Sequence, residues 1–113
     1  MRAKPVKRAD KELFALIEQK IREKSYAFVP HAQKRMLERC ILEIDVINIL
    51  KGITGYERSR NKLKDIYEAQ YIHEDSEDWK YCIEGKTIDG KKIRIIITFA
   101  EDLMPIITVI NIR

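Results

Sequence analysis

His31, Arg35 and Arg39 stand four residues apart. On a helix they lie one above another, about 6 Å apart along the axis. Two guanidiniums can hold phosphate oxygens, and an imidazole can move a proton near neutral pH. The stripe suits an RNA-facing ridge. The alternative is a solvated helix face, with Glu38 pairing locally to Lys34 or Arg39. A second group is the alternating run Arg58, Arg60, Lys62, Lys64. On an extended strand these four point one way and repeat at about 7 Å, near the phosphate spacing of an extended single strand. The alternative there is a charged sheet edge that discourages aggregation. The third group is Trp79, Lys80 and Tyr81 together with Arg94. An aromatic pair beside a cation can stack a base and bind the adjoining phosphate. Lys80 and Tyr81 point to opposite faces of a strand, so at most one shares a surface with Arg94. Core or rim packing of the two aromatics is the alternative.

These residue types suit RNA cleavage without metal. A base removes the 2′-hydroxyl proton, cations stabilise the crowded phosphate, and an acid protonates the leaving 5′-oxygen. Cys40 and Cys82 show no metal-ligand spacing and read as reduced structural thiols. No Gly-rich phosphate loop, His-Glu-x-x-His or Cys-x-x-Cys motif is present. Neither a metal nor a cofactor is therefore expected. The acidic knot Glu74, Asp75, Glu77, Asp78 reads as a solvated loop, with His73 beside it.

The chain has 113 residues, 45% of them hydrophobic and 35% charged. That suits a single domain with a real core and a densely ionic surface. No apolar run approaches a membrane span, and the basic start lacks an uncharged leader core, so a cytoplasmic protein is expected. The net charge is +4, unevenly spread. Residues 1–39 carry 11 basic and 5 acidic side chains, whereas residues 66–113 carry 6 and 9.

The elements that must position these groups change period midway. Residues 1–9 read as a flexible basic tail, 10–52 as helical, and 53–113 as an antiparallel sheet. Leu13, Leu16, Ile17 and Ile21 mark a helix over 10–24, capped by Asp10. Pro30 suits the first turn of a second helix, with Ala32, Met36, Leu37 and Cys40 on one arc. A third helix over Glu43–Lys51 ends at Gly52, and the Ile41–Leu42 join should be buried. Residues 66–72, 80–88, 92–99 and 106–112 read as strands, with Asp89-Gly90 as a tight hairpin. Ile93, Ile95, Ile97 and Phe99 should share one face, as should Ile106, Thr108, Ile110 and Ile112. The run Ile95–Ile97 suggests a central strand covered on both sides. The expected class is α+β: two to three N-terminal helices packed on an antiparallel β-sheet. Ile106–Ile112 could instead leave an apolar edge for a homodimer.

The stretch His31-Ala32-Gln33-Lys34-Arg35-Met36-Leu37-Glu38-Arg39, followed by Asp45-Val46 and Leu50-Lys51-Gly52, resembles the opening of a small bacterial domain-of-unknown-function family. Tyr81-Cys82-Ile83-Glu84-Gly85, Asp89-Gly90 and Ile107-Thr108-Val109 resemble its close. The order of helices and strands is similar to MqsR and the RelE/ParE-like RNA interferases. That resemblance implies metal-independent endoribonuclease activity, an RNA substrate, and a cognate antitoxin protein of MqsA-like or helix-turn-helix type. It puts weight on His31, Lys80, Tyr81 and Arg94 as catalytic groups, on Thr108, and on Arg35 and Arg39 as RNA contacts. Trp79-Lys80 is similar to the Trp-Gln of MqsR. Glu68 stands near the register of the MqsR lysine, and Leu42 replaces the usual Ser or Thr before the third helix. The same surface without catalysis would make a non-catalytic RNA- or protein-binding module.

Overall fold

The structure, a computed structural model, describes residues 5–67 and 78–112. Three helices precede most of the sheet: α1 (Asp10–Arg22), α2 (Pro30–Glu38) and α3 (Glu43–Lys51). The strands are β1 (Tyr26–Phe28), β2 (Glu57–Arg60), β3 (Tyr81–Lys86), β4 (Lys92–Ile97) and β5 (Met104–Asn111). The class is the expected α+β. Residues 68–72 of the strand expected over 66–72, Glu68 itself, His73 and Glu74, Asp75 and Glu77 of the acidic knot lie outside the described residues. At the start of that stretch, Ile66 makes one antiparallel bridge to Lys80.

α1 carries Asp10 and Glu12 in its first turn and Lys20 and Arg22 in its last, which complements the helix dipole. Leu13, Ile17 and Ile21 are its buried face. α2 starts on Pro30 and buries Ala32 and Met36. Leu37 is 82% exposed and Cys40 is exposed, so the expected apolar arc is narrower than the wheel suggested. Ile41 is buried but Leu42 is not, which halves the expected burial of that join. α3 buries Val46, Ile47, Ile49 and Leu50 and ends on Gly52 at φ +70°.

The sheet order is β1-β5-β4-β3-β2. β2 to β5 pair antiparallel, whereas β1 pairs parallel with β5, Tyr26 opposite Met104 and Phe28 opposite Ile106. This three-residue strand was not expected, being too short to leave a periodic signal. β1 covers the edge of β5 over Met104–Ile106 only, so the stretch expected as an apolar edge, Ile106–Ile112, is paired at its first residue, and α2 packs against β5. Asp89-Gly90 does turn the β3–β4 hairpin. Gly90 at φ +90° fills the left-handed position, and the Gly90 N–H donates to the Thr87 carbonyl at 3.0 Å.

A bulge sits between β4 and β5. Ile96 opposes Thr108 but Ile97 opposes Ile106, leaving Ile107 extra. Ile106 and Val109 therefore both face the helices, and Thr108 and Ile110 do not. The expected Ile106-Thr108-Ile110-Ile112 face is corrected accordingly. Ile93, Ile95, Ile97 and Phe99 do share the helix-covered face with Tyr81 and Ile83. The other face carries Glu84, Arg94, Ile96 and Ile110, all half-buried, so β4 is central but is covered fully on one side only.

Gly85 on β3 is what lets α3 settle. A Cβ there would collide with Ile49 of α3 and with the Glu57 carbonyl.

Candidate nucleic-acid interface

β1 fixes where α2 begins. The Val29 N–H donates to the Ile106 carbonyl at 3.1 Å, and Pro30 starts the helix in the next residue. Burial of Ala32 and Met36 then turns the opposite face outward. His31, Lys34 and Arg35 are exposed and Arg39 is half-buried. None of the four has a side-chain hydrogen bond or ion pair among the described residues, and Nη1 of Arg39 is buried without an acceptor. Glu38 pairs with neither Lys34 nor Arg39, so the local neutralisation weighed as the alternative does not form.

The basic run on β2 is arranged differently. The strand ends at Arg60, and Lys62 and Lys64 lie on a separate 3₁₀ turn (Lys62–Lys64). Arg58 and Arg60 do point the same way, but inward. Arg58 donates to the Leu50 carbonyl at 2.9 Å and to Glu18 at 3.2 Å, and its guanidinium lies 4.1 Å from the Phe14 ring centre. It thereby takes up an orphan carbonyl at the end of α3. Arg60 donates twice to Asp65, at 2.9 and 3.2 Å, and once each to Asp10 and the Arg8 carbonyl. Lys62 pairs with Asp10 at 3.3 Å. Desolvation works upward on the Asp10 carboxyl, but Arg60 and Lys62 together outweigh it and hold it below its usual range. Of the expected RNA-facing row, Lys64 alone keeps a side chain unpaired among the described residues. The physical reason is that β2 buries its alternate residues against α1 and α3.

At the same end of the sheet, the chain preceding α1 is tied down. The Arg8 N–H and its guanidinium both donate to the Tyr81 hydroxyl, at 3.1 and 3.3 Å. That guanidinium also pairs with Asp78 at 2.7 Å and lies 4.9 Å from the Phe99 ring centre. Burial alone would lower the Arg8 pKa; the bonds to Asp78 and Tyr81 outweigh it and raise it. Trp79 donates its indole N–H to the Pro5 carbonyl at 2.8 Å, and the Lys7 ammonium sits 4.8 Å from the indole centre. Residues 5–9, the stretch read as a basic tail, thus make specific contacts with this end of the sheet. Tyr81 is 0% exposed, with guanidiniums of Arg8 and Arg60 at 5.9 and 5.2 Å from its ring centre.

Lys80 and Arg94 lie on the opposite face of the sheet from Tyr81. Arg94 donates to Glu84 at 2.8 Å, and Asn61 donates to the same carboxylate oxygen at 3.1 Å. The Arg94 bond chiefly, against some desolvation, holds the Glu84 carboxyl below its usual range. Between them, Cys82 is buried and gives its backbone N–H to Asp65. Desolvation, then the Glu84 carboxylate, pushes its thiol up to about 11. The four expected catalytic groups therefore divide: His31 on α2, Tyr81 under the helices, Lys80 and Arg94 on the opposite face of the sheet. Arg8, Lys7, Asp65, Asp78 and Phe99 were missed by sequence reasoning. Only the basic character of residues 1–9 hinted at the first two.

A family model described as Domain of unknown function (DUF4258) matches residues 28–111. The chain belongs to that family. No curated protein and no solved structure matches it. The DUF4258 match begins on Phe28, the last residue of β1, takes in α2 through β5, and leaves α1 and residues 5–9 ahead of it. Within it, most of the motif residues have internal work. Ala32, Met36, Val46 and Leu50 are core. Asp45 accepts the Tyr56 hydroxyl at 3.1 Å. Gly52 takes a left-handed φ, and a Cβ there would meet the Arg58 guanidinium at 2.9 Å. His31, Arg35 and Arg39, like Lys34 between them, have no side-chain hydrogen bond or ion pair among the described residues. No group of three or more metal-ligating side chains occurs among the described residues, and none of their helices is long and apolar enough to cross a membrane.

Proposed function

We propose that this DUF4258 protein is a toxin-like RNA interferase: a cytoplasmic, metal-independent endoribonuclease held in check by a cognate antitoxin protein. The observation that supports it is the α2 ridge, a set of cations with no anionic partner among the described residues beside an exposed imidazole, on residues that carry the resemblance to the domain-of-unknown-function family. In this reading Arg35 and Arg39 hold successive phosphates and His31, one turn away, takes the 2′-hydroxyl proton. The 2′-oxygen attacks phosphorus, the P–O5′ bond breaks, the leaving 5′-oxygen takes its proton from water, and the upstream fragment ends in a 2′,3′-cyclic phosphate. Lys80, Tyr81 and Arg94 remain positions to test beside it.

A second reading is an RNA-binding module without catalysis. It is favoured by the separation of Tyr81, Lys80 and Arg94 from His31, which leaves no second acid–base group beside the imidazole among the described residues. One experiment separates the two. Purified protein is incubated with a labelled single-stranded RNA in EDTA, and both binding and product ends are read. Cyclic phosphate ends that disappear in His31→Ala support the interferase. Binding without cleavage leaves the module, and absence of binding overturns both.

A further inference from the structure

We propose that Lys86 and Lys92, at the end of the β3–β4 hairpin, clamp a backbone phosphate of a single-stranded RNA that runs on past the α2 ridge. The inference rests on the RNA reading above and names where the rest of the strand goes. Lys86 and Lys92 are register partners on β3 and β4. The Lys92 carbonyl accepts from the Ile112 N–H at 2.9 Å, so it points to β5 and away from Lys86. The two lysines therefore form a non-hydrogen-bonded pair, the kind with Cα atoms only about 4.5 Å apart and side chains at their closest. Like charges in that position repel. No anion among the described residues relieves them. Glu84 is taken by Arg94 and Asn61, and Asp89 accepts from the Thr87 hydroxyl. Glu57 stands opposite Lys86 on β2 but makes no ion pair with it.

Two ammoniums held together without a counter-charge make a place for an anion. One phosphate lying between them ends the repulsion and gains two charge-assisted hydrogen bonds. The surroundings fit a strand. Lys86, Lys91 and Lys92 line one open groove of about 490 Å³ at the end of the sheet, with Gly90, Asn111 and Ile112. Lys91 joins this groove to the α2 ridge. Its ammonium donates at 2.8 Å to the carbonyl of Cys40, the residue after Arg39. The cations thus continue from His31, Arg35 and Arg39 through Lys91 to Lys92 and Lys86. The ridge alone spans about 12 Å, room for roughly two phosphates of an extended strand, and the hairpin adds the next contact. Lys91 reaches toward α2 whereas Lys86 and Lys92, by alternation, stand on the other face of the sheet. The path therefore bends around the hairpin end, which a flexible single strand follows and a stiff duplex does not.

The full chain is titrated with a fluorescein-labelled, 2′-O-methyl decanucleotide, which binds without being cut, at several salt concentrations, and anisotropy is read. Lys86→Gln combined with Lys92→Gln should lower affinity and reduce the slope of log affinity against log salt by about 0.7, the effect of one phosphate no longer neutralised. The control pair is Lys11→Gln with Lys24→Gln. Lys11 is in the first turn of α1, and Lys24 lines a groove with Ala100 and Leu103, beyond the opposite end of β4. That pair removes the same charge and should leave the slope unchanged. Without RNA, Lys92→Gln should raise the thermal midpoint, because the repulsion is gone; a midpoint that falls overturns the clamp. A parental slope in the Lys86→Gln, Lys92→Gln chain overturns the clamp and leaves the RNA reading standing. An equal loss in the control pair is a net-charge effect and overturns it in the same way. Decaglutamate that binds through these two lysines while RNA affinity stays put makes this a carboxylate site and overturns the phosphate. A chain that binds no RNA overturns both readings.

Discussion

Arg60 and Asp65, five residues apart, form a two-pronged ion pair whose side chains are 1% and 0% exposed. The pair closes the turn after β2, and the carboxylate also accepts the Cys82 N–H. Removing one partner strands the other charge out of water. Asp65→Ala should therefore cost about 3–5 kcal/mol of stability, measured by urea unfolding. A loss below about 1 kcal/mol, the scale of an exposed pair, would mean that the pair is solvated.

Gly85→Ala is expected to destabilise by about 2–3 kcal/mol, because the new methyl meets the backbone of Glu57 and a helix side chain at once. Thermal melting followed by circular dichroism is enough to read it. Ile49→Ala in the same chain should recover part of that penalty, since it clears one of the two collisions.

Arg35→Ala should leave stability within about 0.5 kcal/mol of the parent, as the exposed side chain has no hydrogen bond or ion pair among the described residues. RNA affinity should nevertheless fall, and the slope of log affinity against log salt should drop by about 0.7 for each phosphate that is no longer neutralised. An unchanged slope would place the RNA elsewhere.

The two thiols should differ in reactivity. Cys40 is exposed and should be alkylated in the native protein at about pH 8. Cys82, with its pKa pushed up to about 11, should react only as the fold opens. Equal rates, read by mass spectrometry of iodoacetamide-treated protein, would contradict its burial.

Acid should weaken the Glu84–Arg94 contact in a predictable direction. The folded carboxyl titrates below its unfolded value, so its contribution is present above the ordinary glutamate range and is lost as pH falls through the lowered folded value. Glu84→Gln should flatten that part of the stability–pH curve below the ordinary glutamate range and leave the region above it parallel to the parent.

Much of the fold was legible because it rests on local signals. The leucine and isoleucine spacing of α1, Pro30, Gly52 and Asp89-Gly90 each act within one turn of chain, and the elements they mark are present. What failed was nonlocal. The bulge at Ile107 comes from how β5 meets β4, so alternation along β5 alone gave the wrong partners for Ile106. The inward turn of Arg58 and Arg60 depends on Leu50, Glu18 and Asp65 arriving from elsewhere. Charge spacing records only that four cations alternate, and it carries no information about which face α1 will cover. The α2 stripe was readable for the opposite reason. Its exposure follows from Ala32 and Met36 on the same helix, without help from a distant partner.

β1 makes the placement of α2 a late event. Tyr26 and Phe28 pair with Met104 and Ile106, so the strand leading into α2 finds its neighbour only across most of the chain. Closing so long a loop is slow compared with winding a helix. α2 can coil early, but its seat on the sheet waits for the last strand. A ribosome still synthesising β5 therefore carries a nascent chain whose cationic ridge has yet to be set in place.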